Sequence, residues 1–208
     1  MAAYTFSRTL LDQGISYTTY RKQVNDAVAA GGPIGTMEGP KYLEYTSLNN
    51  RRMDRLEKTL KINPELEALI RAIEEPLVWV VITEGWCGDA AQNLPFIAAL
   101  ADLNPQIELR LFFRDQHPEL MDAYLTNGGK AIPKLIVLRA ADLQELGTWG
   151  PRPAAAQELM NDWKASGGTD YTVISEAIHG WYAKDRLTTL QEELRSAIPA
   201  WLRTATEV

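Results

Sequence analysis

The sequence lacks a second cysteine, because Cys87 is its single thiol in 208 residues. An intramolecular disulfide is therefore impossible, which excludes the small secreted folds that disulfides hold together. Long hydrophobic runs are also missing, since no stretch reaches the roughly 18 apolar residues of a membrane span. The first residues have no basic segment followed by an apolar run, so no signal peptide is expected. We therefore expect a cytoplasmic protein.

Positive charge is scarce, with 21 Lys and Arg residues against 27 Asp and Glu residues and a formal net charge of -6. The pair Arg51-Arg52 is not extended into a basic run. An acidic surface repels phosphate backbones and anionic lipid headgroups. We expect neither nucleic acid nor a membrane as a partner. His117 and His179 lie far apart without ligand-like spacing, so no metal site is expected.

The composition is that of an ordinary globular protein, with 46% hydrophobic and 23% charged residues. The first third of the chain reads as helices. Ser16 is a helix cap before a predicted helix over 17–30, and a loop rich in glycine and proline follows over 31–40. A charged helix is predicted over 42–60, and Asn63 with Pro64 begins another.

The middle of the chain alternates strands and helices. The continuous apolar run 77–82 is typical of a strand that is buried on both faces. A turn with Cys87, a helix over 89–103, a strand over 107–113 and a short helix over 118–125 follow. Two strands over 134–138 and 144–149 are close enough to form an antiparallel hairpin, and a helix over 153–164 comes next. This order predicts an α/β fold with a mixed sheet.

Four short motifs in this region occur in an informative order: Trp86-Cys87-Gly88, Pro95 eight residues after the cysteine, the segment 115–118, and Ala131-Ile132-Pro133 before an apolar strand. Together they resemble the thioredoxin family. The resemblance implies a thioredoxin-like fold, a central mixed sheet flanked by helices, over residues 63–165. Residues 1–62 would then form an N-terminal helical extension and residues 166–208 a C-terminal helical arm.

The resemblance also implies a site. Cys87 would be the catalytic thiol, and a shallow cleft would separate it from a cis-proline loop that binds an extended peptide or glutathione. The binding residues that the motifs imply are Trp86, Gly88, Asp89, Ile132, Pro133 and Lys134.

The departures from the family pattern limit the chemistry. Ala90 stands at the position of the second cysteine, Asp89 at that of the proline, and Val81 at that of a buried aspartate. A dithiol enzyme resolves its mixed disulfide with that second thiol, so dithiol turnover within one chain is not expected. Monothiol chemistry, a redox-sensing or dimer-forming thiol, and loss of redox function all remain open.

The acidity of Cys87 is a balance between two effects. A helix N-terminus favours the thiolate by about 0.3–1 kcal/mol, or up to about 2 in a partly buried site, and the carboxylate of Asp89 opposes it by a similar amount. We expect a thiol that is at most modestly acidified, unless Lys134 or Arg114 reaches it. Asp89 itself suits a helix start, and Glu84 is expected to be a solvated loop acid.

Two functions follow. The first is a monothiol thiol-disulfide oxidoreductase that uses Cys87, with glutathione or the thiol of a partner protein as resolver and no resident cofactor. The second is a non-catalytic thioredoxin-fold module that binds a peptide or protein. A homodimer formed through Cys87 under oxidation is a third possibility.

Overall fold

The computed structural model describes residues 4–32 and 39–206, with side chains through residue 203. Part of the predicted 31–40 loop, residues 33–38, lies outside the described residues. The elements in chain order are α1 (Arg8–Leu11), α2 (Tyr17–Ala30), α3 (Pro40–Thr59), α4 (Pro64–Arg71), β1 (Leu77–Thr83), α5 (Gly88–Ala101), β2 (Ile107–Phe113), α6 (Pro118–Ala123), β3 (Lys134–Arg139), β4 (Glu145–Trp149), α7 (Ala154–Ala165), α8 (Tyr171–Asp185) and α9 (Thr188–Thr206).

The four strands form one mixed sheet in the order β2-β1-β3-β4. β1 runs parallel to β2, with Leu77 opposite Ile107, and antiparallel to β3, with Val81 opposite Leu135. β3 and β4 form the predicted antiparallel hairpin. Every residue of β1 is buried, as its continuous apolar sequence predicts for a central strand. The α/β class is therefore confirmed.

The two faces of β1 pack into different hydrophobic clusters, because successive side chains of a strand point to opposite sides. Trp79 and Val81 belong to a large cluster that includes residues of α2, α3, α4, α5 and α9. Val78, Val80 and Ile82 belong to a second cluster with residues of α1 and α6, and Cys87 is a member of it. Helices α1, α2, α3 and α9, which lie outside the predicted central region, thus share the core of the sheet.

Local capping explains where several helices begin. The Ser16 side chain accepts a hydrogen bond from the Thr19 N–H at the start of α2, and Gly31 ends that helix with a left-handed φ of 67°. Asn63 caps α4 by accepting from the N–H groups of Glu65 and Leu66. These boundaries agree with those expected from the sequence.

The C-terminal helices pack on the sheet and on each other. The Trp149 indole N–H at the end of β4 donates to a carboxylate oxygen of Glu193 on α9 at 2.7 Å. A small cluster joins α7 and α8 through Met160, Ile174, Ile178 and Tyr182. This arrangement brings α8 beside the start of α5. No helix in the described ranges is both long and apolar enough to cross a membrane.

Candidate functional site

Cys87 is the N-cap residue of α5, directly after the turn that follows β1. Its Sγ accepts a hydrogen bond from the Ala90 N–H at 3.5 Å, as a capping side chain does. The thiol donates to the Ile132 carbonyl oxygen at 3.3 Å. Only 8% of the residue is exposed. The sulfur is therefore an internal part of the turn.

Burial, followed by the charge of Asp89, raises the pKa of the Cys87 thiol to about 12 from its ordinary value of 9.0. Backbone N–H groups and Arg152 oppose this effect but do not overcome it. The thiol is thus not acidified, which lies within the expectation of at most modest acidification, because a buried thiolate loses its solvation. Lys134 donates to the Gly150 carbonyl oxygen at 3.4 Å, and Arg114 stacks on the Trp86 ring at 4.8 Å.

The proline loop lies in direct contact with the sulfur instead of facing it across a cleft. The Ile132-Pro133 peptide bond is cis, as the motif implied. Ile132 is 4% exposed and Pro133 is also buried. Gly150, with a φ of 114°, approaches so closely that a Cβ there would lie 2.3 Å from the Pro133 carbonyl oxygen. The carbonyl oxygen before the cis bond is therefore already engaged by the Cys87 thiol.

Asp89, in the first turn of α5, is the centre of a buried polar cluster. Arg152 donates to one carboxylate oxygen from Nε at 3.0 Å and from Nη2 at 2.6 Å, and the Tyr182 hydroxyl donates to the other at 2.8 Å. The Asn93 amide nitrogen donates to the Tyr182 hydroxyl oxygen at 2.9 Å. The carboxylate therefore ties α5 to the turn before α7 and to α8.

A cavity of about 300 Å³ opens beside this turn, between α3 and α8. Several of its lining residues are aromatic, and the Tyr42 and Trp86 rings meet edge to face with centroids 5.7 Å apart. Cys87, Gly88 and Asp89 form its base. The remaining lining residues that matter for its chemistry are Lys41, Tyr45, Leu48, Asn49, Arg52, Tyr171 and His179.

The base of the cavity is tightly built at Gly88. A Cβ at this position would lie 2.6 Å from two ring atoms of His179 and 3.6 Å from Nη1 of Arg52. Burial, with repulsion from Arg52 and Arg152, lowers the pKa of the His179 imidazole to about 4. His179 is therefore neutral at neutral pH. Because Gly88 has no side chain, the His179 ring, and with it α8, can approach the turn.

Glu84, which precedes the turn, is fully buried, so the expectation of a solvated loop acid is wrong. Its Oε1 accepts a hydrogen bond from the Asp115 N–H at 3.1 Å, while Oε2 is buried without a hydrogen-bond partner among the described residues. Burial, and after it the charge of Asp115, raises the pKa of this carboxyl to about 7.

The structure brings Trp86, Cys87, Gly88 and Asp89 together in one turn and places Ile132 against the sulfur. Their roles in catalysis or binding stay predictions. The sequence reasoning missed Arg152 and the contribution of α3 and α8 to a cavity, because no motif links these distant segments. Within the described part of the chain, no group of three or more His, Cys, Asp or Glu side chains could hold a metal ion.

Comparison with solved structures supports the fold. Two solved structures resemble the whole chain: a protein of unknown function, PA1234, from Pseudomonas aeruginosa, and an HIV epitope-scaffold. The first is 20% identical with a TM-score of 0.59 and covers 96% of this chain and 98% of its own. The second is 19% identical with a TM-score of 0.57 and covers 95% and 98%. At this identity the likeness shows the fold alone.

No curated protein matches the sequence. The family model described as thioredoxin matches residues 36–164, which is more than half of the chain and includes the turn, the cis-proline loop and the whole sheet. The chain therefore belongs to the thioredoxin family.

Proposed function

We propose that this chain is a non-catalytic binding member of the thioredoxin family, which holds a small organic ligand in the aromatic cavity beside Cys87. The observation that carries the proposal is the cavity itself. It lies at the turn where the family places its thiol, yet it opens toward α3 and α8, on residues that the family motifs do not include.

The size and lining of the cavity support a small ligand. Its volume of about 300 Å³ is at the lower end of the range for small-molecule pockets. Tyr42, Tyr45, Trp86 and Tyr171 offer flat apolar surface, and a few polar groups are placed among them. Apolar walls with few convergent polar groups are typical of ligand sites.

The state of Cys87 disfavours catalysis by the thiol. Attack on a disulfide requires a thiolate, and with a pKa of about 12 only about one molecule in 100,000 carries one at neutral pH. Ala90 offers no second thiol to resolve a mixed disulfide. The carbonyl of Ile132, whose backbone would pair with a substrate, already accepts from the Cys87 thiol.

Binding is tested with phenylnaphthylamine, a neutral aromatic probe that fluoresces when it leaves water. Wild-type protein should bind it at one saturable site. Ser175 lines the cavity from α8, so Ser175→Trp should fill the space and abolish that site. Glu176→Trp is the matched control, since this exposed neighbour does not line the cavity. Equal binding by wild type and Ser175→Trp would refute the proposal.

The alternative, a monothiol oxidoreductase that acts with glutathione, makes a different prediction. In that case Cys87 would attack oxidised glutathione, form a mixed disulfide and release one reduced glutathione. Intact-mass measurement after incubation with oxidised glutathione would then show one added glutathionyl group, which is absent in Cys87→Ser. Our proposal predicts an unmodified native protein.

A further inference from the structure

We propose that the ligand of this cavity is an aromatic organic anion, whose carboxylate, sulfonate or phosphate group meets Arg52 while its ring packs against the aromatic wall. This inference rests on the proposed binding function and names its ligand class. It comes from the charges around the cavity, which are opposite in sign to the net charge of -6 that the chain carries.

Arg52 is a cation that a neighbouring amide side chain holds in position. Its Nη1 donates to Oδ1 of Asn49 at 2.8 Å. Asn49 is 1% exposed, and its amide nitrogen donates in turn to the Gly85 carbonyl oxygen at 3.1 Å. Arg52 is thus attached to the turn through a buried amide. In the described ranges no Asp or Glu side chain forms an ion pair with it, so most of its donors are available to a ligand.

Asp89, the one acid among the described residues that line the cavity, already has a cationic partner. Asp89 is paired with Arg152 in a salt bridge whose side chains are 10% and 11% exposed, and the Tyr182 hydroxyl occupies its second oxygen. Among the described lining residues the positive charges of Arg52 and Lys41 therefore outweigh the charge of Asp89, which is already paired with Arg152, since His179 is neutral. The N-terminus of α5 at the base adds a further favourable potential for an anion.

Partial burial strengthens this preference. Desolvation, followed by the charge of Arg55, lowers the pKa of Arg52, and the opposing charge of Asp89 compensates for this only in part. A charge-assisted hydrogen bond to a ligand anion would supply further compensation. Lys41 lies over the Tyr45 ring at 5.7 Å, at the exposed side of the cavity, where it can attract the same anion.

The aromatic side chains of the cavity indicate the shape of the uncharged part of the ligand. Trp86 is held between Tyr42, at 5.7 Å, and the guanidinium of Arg114, at 4.8 Å from its ring. Leu48 and Tyr171, which line the cavity, are 36% and 58% exposed, so apolar surface continues outward from it. A flat ring fits such a wall through offset or edge contacts.

The test compares two probes that are nearly equal in shape but differ in charge. Anilinonaphthalene sulfonate carries one negative charge, and phenylnaphthylamine is its neutral counterpart. Wild-type protein should bind the sulfonate about tenfold or more tightly than the neutral probe, since one charge-assisted hydrogen bond has that value. Added salt should reduce this difference.

Arg52→Gln should abolish the preference for the sulfonate and leave the affinity for the neutral probe unchanged, which also shows that the cavity remains folded. Arg51→Gln is the control, because Arg51 is exposed on the same helix, does not line the cavity and is not among the charges that shift the pKa of Arg52. It should behave as wild type.

The outcomes separate the two proposals. If both probes bind equally, or if Arg52→Gln and Arg51→Gln weaken sulfonate binding to the same extent, the anion inference fails and the binding function stands. If neither probe binds wild-type protein, or Ser175→Trp binds both as well as wild type does, the binding function fails as well.

Discussion

Replacing Glu84 with glutamine should stabilise the protein at neutral and alkaline pH. The buried carboxyl has its pKa raised from 4.5 to about 7, so the folded state holds a proton that the unfolded state releases. Stability therefore falls as pH rises from about 4.5 to about 7, and it stays reduced above that window. A shift of about 2.5 pKa units, at about 1.4 kcal/mol each, corresponds to roughly 3 kcal/mol.

Glutamine has nearly the shape of the glutamate side chain but cannot ionise. Its carbonyl oxygen can still accept from the Asp115 N–H, which Oε1 of Glu84 does at 3.1 Å. We expect Glu84→Gln to match wild type at about pH 4 and to exceed its free energy of unfolding by up to about 3 kcal/mol at about pH 8. Urea denaturation followed by circular dichroism measures both values.

The control is Glu74→Gln, because Glu74 is an exposed acid shortly before the same strand. Its difference from wild type should be the same at both pH values to within about 0.5 kcal/mol. If the free energies of wild type and Glu84→Gln remain parallel from acid to alkaline pH, the raised pKa of the buried carboxyl is refuted.

Three further predictions concern the turn. Cys87 in the native protein should react with a chromogenic disulfide reagent roughly 30-fold or more slowly than in the denatured chain, because burial raises its pKa to about 12 and the greater nucleophilicity of the thiolate offsets only part of that effect. Equal rates would contradict this. Arg152→Met should lower the free energy of unfolding by about 3–5 kcal/mol at neutral pH, because Asp89 would be left buried without its cationic partner. The double variant with Asp89→Asn should recover much of this loss. If urea denaturation shows no recovery, the stabilising role of the ion pair is contradicted. Gly88→Ala should lower the melting temperature, since its Cβ would lie 2.6 Å from the His179 ring. Adding His179→Ala should restore part of the melting temperature, because it removes the clash. If the two substitutions lower the melting temperature additively, the contact is contradicted.

Much of the fold could be predicted from local sequence. The continuous apolar run of β1 indicated a central strand, and the order of strands and helices indicated a mixed sheet. Ser16 and Asn63 cap helices within two or three residues of themselves, so their effect depends on neighbours along the chain. Such short-range signals do not depend on how distant segments pack.

The chemistry of the site could not be predicted in the same way. Arg152 lies 63 residues from Asp89, and only the path of the chain after β4 brings it to the carboxylate. The burial of Glu84 and of Cys87 likewise depends on elements that cover the turn from elsewhere. A residue type at a helix start predicts a cap, but its pKa depends on solvent access that one segment does not determine.

The cavity is the clearest example of a feature without a local signal. It requires α3 and α8 to approach the same turn, and their sequences show only that each is amphipathic or charged. Gly88 belongs to the motif, but its contact with His179 depends on tertiary packing. The motifs therefore predict a site at the Cys87 thiol, whereas the cavity lies beside that thiol.

A crystal structure of the protein with anilinonaphthalene sulfonate tests the central claim most directly. The account predicts the sulfonate within hydrogen-bonding distance of Arg52 and the rings against Trp86 and Tyr45, with the Cys87 sulfur still bonded to the Ile132 carbonyl oxygen. A probe bound elsewhere on the surface, or at a proline loop that has opened to expose the sulfur, would contradict it.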